Sequence, residues 1–148
     1  MLKLVSMSKT TLIKPNGEKF VTVRPNLIVD SGFDFIANAM GLSSGRPDVL
    51  SHIAIGSGTT AATAADTTLE SELARVACTY AHTAGTKVLT FTSTFGAGIG
   101  TGAITEAALF NDATTGDMYD RVVFAVKNKE ADDVLVQQFI ITLSEQAP

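Results

Sequence analysis

Apolar and polar residues alternate with a period of two along much of this chain, and that period predicts β-strands. The clearest runs lie in the second half. Lys87–Phe95 sets Leu89, Phe91, Ser93 and Phe95 against Val88, Thr90, Thr92 and Thr94. Its β-branched and aromatic residues suit a half-buried pleated surface. Ala103–Phe110 places Ile104, Glu106, Ala108 and Phe110 on one face, and Met118–Val126 does the same for Met118, Asp120, Val122, Phe124 and Val126. Val134–Leu143 is apolar on both faces in places, which suits a central strand or one at an interface. Earlier in the chain, Leu12–Val23 predicts a hairpin that turns at Pro15-Asn16-Gly17, where Asn and Gly tolerate positive φ. Pro25 ends its second strand. Ser51–Ile55 and Ala74–His82 complete the set.

The period changes to that of a helix once. Phe33, Ile36, Ala37 and Met40 recur at i, i+3, i+4 and i+7 and share a face. Asp30 or Ser31 supplies a capping oxygen, and Gly41 a left-handed C-terminal position. A helix of about ten residues is marginal alone, so this one must pack on a sheet. Thr67 and Glu70 have capping-box spacing, which predicts one or two helical turns over Thr67–Leu73. Loops are expected over Gly41–Pro47, Gly96–Gly102, Asn111–Asp117 and Asn128–Asp133.

About seven or eight strands, one short α-helix and turn signals at roughly ten-residue spacing indicate a mainly β protein, an antiparallel β-sandwich. Residues 1–25 form an N-terminal hairpin or extended arm, either part of the sheet or projecting from it, and residues 26–148 form the sandwich domain.

Composition narrows the class. The 148 residues suffice for one domain that folds without metals or disulfides. Charged residues are 18% of the chain, below the usual share of about 25%, which suggests surface covered by other subunits. No apolar run is long enough to span a membrane. The N-terminus lacks the continuous apolar core and cleavage site of a signal peptide. A lone cysteine, Cys78, leaves no internal disulfide and fits a reducing cytoplasm.

Charge is uneven. Lys3, Lys9, Lys14, Lys19 and Arg24 face only Glu18 within residues 1–25, whereas the remainder holds six basic and fourteen acidic residues. A basic arm on an acidic body suggests docking onto an acidic neighbour, including another copy. As a nucleic-acid surface it is thin, with Phe20 its one aromatic residue.

Candidate chemistry is sparse. Gly56-Ser57-Gly58-Thr59-Thr60 lacks the lysine of a phosphate loop, and the glycines at 96, 98, 100 and 102 do not give the dinucleotide fingerprint. Cys78 and His82 are about 13 Å apart if both lie on one strand, too far for a nucleophile and its base. With His52 they make an incomplete zinc set. Asp112, Asp117 and Asp120 surround a hairpin loop and are better read as turn formers than as cation ligands. No serine sits in a nucleophile elbow. No catalytic residue, cofactor or metal is expected, and the chain reads as non-enzymatic.

The ordered segments NLIVDSGFDFIANAMG, HIAIGSGTTAATAADTTLESELAR, VLTFTSTFGAGIGTGAITEAALFN and MYDRVVFAVKNKEADDVLVQQFIITL, over about residues 26–143, resemble small β-sandwich virion structural proteins of tailed bacteriophages. The resemblance implies a homo-oligomeric head decoration or cement protein, or else a tail, collar or baseplate component that includes fibre attachment. A carbohydrate- or receptor-binding module is a further alternative, disfavoured by two Tyr and no Trp. It implies assembly in the bacterial host cytoplasm and partners among major capsid or tail proteins. Contact is expected through the basic residues named above and through Gly56, Ser57, Gly58, Thr59 and Thr60. That loop is small and neutral enough to lie flat on another subunit.

Overall fold

The computed structural model describes residues 2–145; Met1 of the expected arm and residues 146–148 of the expected domain lie outside them. Two antiparallel five-stranded sheets pack face to face. The first, sheet A, contains β1 (Leu2–Ile13), β2 (Lys19–Pro25), β6 (Thr79–His82), β7 (Val88–Phe95) and β10 (Val134–Glu145), in the order β2-β1-β10-β7-β6. Sheet B contains β3 (Leu27–Ile28), β4 (His52–Gly56), β5 (Glu72–Ala77), β8 (Gly102–Phe110) and β9 (Met118–Lys129), in the order β3-β9-β8-β4-β5. Helix α1 (Asp30–Gly41) links β3 to β4. The sandwich is the predicted one, with more strands than its sequence pattern resolves. β1 begins well before the alternation at Leu12, β3 is only two residues long, and the expected strand Ala74–His82 divides at Cys78 as the chain passes from sheet B to sheet A.

The N-terminal hairpin lies inside the sandwich. β1 pairs with β10 along its whole length, from Leu2 opposite Glu145 to Ile13 opposite Val134. Leu12 belongs to the same core as Phe95, Leu135 and Phe139. Residues 2–25 therefore share one core with the rest and form no projecting arm. β10 is central, between β1 and β7, as its two apolar faces predict.

Irregularities change which side chains face inward. Pairing of β8 with β9 shifts between Ile104 and Glu106. Ile104, Ala107 and Leu109 enter the main core, whereas Ala108 and Phe110 join Met118 and Leu69 in a second cluster on the outside of sheet B. Glu106 lies on that outer side, so it does not share a face with Ile104 as strict alternation predicts. A second shift near Phe110 likewise separates Met118 from Val122 and Phe124.

Helix α1 departs from expectation at both ends and along one side. Val29 stands at its N-cap without a side-chain cap; Ser31 Oγ instead donates to the Met118 carbonyl, and Asp30 N–H to the Ala64 carbonyl. At the other end Leu42 N–H closes the last turn on Asn38, and Gly41 keeps negative φ. The chain leaves the helix extended, so no left-handed residue is needed. The buried helical residue is Gly32, not the apolar stripe. Its missing side chain lets α1 rest on β9, because a Cβ there would sit 2.1 Å from the Tyr119 carbonyl oxygen. Phe33, Ala37 and Met40 stay exposed. Residues 67–71 form no helix, since the Glu70 carboxylate is engaged with Thr60.

Gly32→Ala is expected to force the helix off the sheet and destabilise the fold by about 2 kcal/mol. Urea unfolding measures this directly, and an unchanged midpoint would show that the close approach is not needed.

Candidate functional site

Residues 57–71 fold back over the outer face of sheet B as a strap. Beneath it lies a fully buried carboxylate, Glu106. Its Oε1 accepts from the N–H groups of Gly58 (3.0 Å) and Ser71 (2.8 Å), and its Oε2 from Glu70 N–H (3.1 Å). Arg121, also buried, donates to the same Oε2 through Nε and Nη2 at 3.1 and 2.9 Å. Arg121 reaches on to Asp66 at 2.8 Å and to the Thr60 carbonyl at 3.0 Å. Burial opposes the guanidinium charge, but the carboxylates of Asp66 and Glu106 outweigh it and its pKa is raised. The Asp66 carboxyl is held low: burial pushes it up, but bonds from Thr63 and Arg121 prevail. Glu70 is held low chiefly by the Thr60 amide and hydroxyl.

This arrangement explains the small, neutral loop. Gly56 and Gly58 are buried, and a Cβ at either would come within 2.6 Å of Glu106 Oε1. Ser57, Thr59 and Thr60 are more open, but the segment lies flat on its own sheet. Nearby, Arg75 stacks 3.7 Å over the Phe110 ring and donates to the carbonyls of Asp112 and Thr115, tying the strap's end to the β8–β9 loop. Glu106, Arg121 and Arg75 are absent from the sequence-based candidates. A signal existed for the first two: each is a charge inside an apolar strand, with opposite sign on adjacent strands.

The five basic candidates separate into two groups. Lys14 is neutralised within the chain by Asp133 at 2.7 Å and Glu130 at 3.6 Å, which raises its pKa and clasps the β9–β10 turn. Arg24 lies opposite Ser8 on the inward side of the exposed strand β2. Lys3, Lys9 and Lys19 all project from the outer face of sheet A. The other outward positions there are Val, Ile, Met, Thr, Gln, Ser, Ala and Pro, among them Val21, Val23, Met7, Val136, Ile140 and Thr92. Among the described residues no carboxylate projects from that face.

The remaining candidates do not converge. The His82 ring bonds the Val88 carbonyl and the His52 ring bonds Ser51. Cys78 is half-buried at the crossing between sheets, and burial pushes its thiol up. Among the described residues no group of three or more His, Cys, Asp and Glu could hold a metal ion. Asp112 caps the amides of Thr114 and Thr115, which hold its carboxyl down to about 2. Asp120, expected beside that loop, is in the interior. It accepts from Ser6 Oγ and Asn26 Nδ2, while its Oδ1 has no partner among the described residues. Burial pushes its pKa up to about 7. No described helix is long and apolar enough to cross a membrane.

Comparison with protein-family models, with curated proteins and with solved structures finds no match.

Two outcomes follow from these charges. Glu106→Ala leaves three strap amides and Arg121 without their acceptor and is expected to cost about 3–5 kcal/mol. Hydrogen exchange should speed up first at Gly58, Glu70 and Ser71, and unchanged protection there would refute the strap's dependence on this carboxylate. For Asp120, the fold retains a proton that the unfolded chain releases from about pH 4 upward. Its contribution therefore falls as pH rises towards 7. The stability of the wild type relative to Asp120→Asn should drop by about 2 kcal/mol between pH 5 and pH 8, read from denaturant midpoints.

Proposed function

We propose that this protein is a non-enzymatic structural component of a tailed-bacteriophage particle, a head decoration or cement protein that docks through the outer face of sheet A. The ordered segments over residues 26–143 support the particle assignment by their resemblance to such proteins. The observation that carries the docking reading is the face itself: five strands wide, rich in Val, Ile and Thr, with three lysines and no carboxylate. Such a face suits a flat acidic surface, because apolar contact supplies area and the lysines supply orientation. A particle offers that surface many times over through symmetry. Lys14 has no part in this docking, since it is already paired with Asp133.

Quantitative mass spectrometry of purified particles, ratioed to the major capsid protein, tests the reading. A ratio near one copy per one to a few capsid subunits supports decoration. A ratio of about a hundredth places the protein in the tail, collar or baseplate, and absence from particles overturns the assignment. The double variant Lys9→Glu/Lys19→Glu should lower particle binding about tenfold at low salt and less at high salt. Unchanged binding by the folded variant would exclude this face.

A further inference from the structure

We propose that the cleft beneath α1 binds a single hydrocarbon chain from a neutral, monomeric amphiphile. The cleft has a volume of about 570 Å³. It opens where sheet A runs past sheet B. Leu4, Leu89 and Ile141 form one wall, Phe33, Ile36 and Met40 of α1 the other, and Phe91 and Tyr119 contribute buried side chains to its lining. It lies on the inward side of sheet A, so it is separate from the outer face proposed for docking and stands or falls independently.

The cleft exists because α1 rests on the sheet through Gly32, so that Ile36 meets the core while Phe33 and Met40 of its apolar stripe stay open. Size and chemistry then select the occupant. The volume falls within the roughly 300–1,000 Å³ of small-molecule sites. Among the lining residues, Tyr119 alone carries a polar side-chain group. A peptide strand would leave its amides and carbonyls unsatisfied against these walls, and a charged group would be stripped of water without a counterion. A hydrocarbon chain meets neither penalty. The lip is apolar too, with Leu2 70% and Met40 82% exposed, so a chain can enter while its headgroup stays in water.

Titration of the full chain with N-phenyl-1-naphthylamine, a neutral probe that brightens in apolar surroundings, tests this. A saturable one-to-one rise, displaced by 1-dodecanol, is expected. Ile36→Trp, which fills the cleft, should abolish it. Met40→Glu, at an exposed position where folding is not at stake, should weaken it about tenfold. Lys9→Glu should leave it unchanged. The proposal is overturned if the rise does not saturate, or if folded Met40→Glu binds as the wild type does. It is equally overturned if light scattering reveals a dimer that Met40→Glu dissociates, since the occupant is then a second copy. Capture on phosphatidylcholine vesicles with no displacement by the free alcohol also overturns it.

Discussion

The pairing of Glu106 with Arg121 is the constraint on which the rest of sheet B depends. Two charges taken out of water cost several kcal/mol each, and their mutual attraction offsets this only when the remaining hydrogen-bonding capacity is filled. Here the filling comes from the chain that covers them. Three strap amides, the Thr60 carbonyl and Asp66 complete the two groups. The strap needs the charges for its backbone partners, and the charges need the strap to be satisfied. Its lack of bulk follows, because Gly56 and Gly58 pass too close to Glu106 for any side chain.

The same network makes the two sheets unlike. Sheet B has its outer face occupied by the strap, by Arg75 and by the second apolar cluster. Sheet A has no such cover among the described residues, and its outer face is left to Val, Ile, Thr and three lysines. A sandwich with one self-covered face and one open, nearly uncharged face is directional. It presents a single broad, open side.

Much of the fold was legible because period-two patterning survives where strands are regular. Lys87–Phe95 and Val134–Leu143 have the predicted faces, and the apolar double-sidedness of the latter identifies a central strand. Alternation fails at Glu106 and Met118, where β9 carries two extra residues and one extra residue respectively against β8, and such bulges re-aim the side chains and leave no mark in composition. The helix was legible as a helix but not in its orientation. A glycine against a carbonyl sets its docking, and of the hydrophobic stripe Ile36 alone reaches the core. Sequence proximity groups the five basic residues, whereas the sheet sorts them by parity. Lys3, Lys9 and Lys19 share a face, while Lys14 points inward to Asp133. The strap's anchors leave no mark in the loop's own residues, because the groups that hold it belong to β8 and β9.

The pairing of β1 with β10 bears on how the molecule is made. Leu2 stands opposite Glu145, so the middle of sheet A joins the first described residue to the last. During synthesis the β1–β2 hairpin emerges before β10, and the edge of β1 away from β2 has no partner until β10 has left the ribosome. Contacts this distant in sequence close slowly. For that interval a strand carrying Val5, Met7 and Ile13 keeps an unpaired backbone edge. Lys3 and Lys9 put charge along that strand, the kind of residue that disfavours premature pairing between nascent chains.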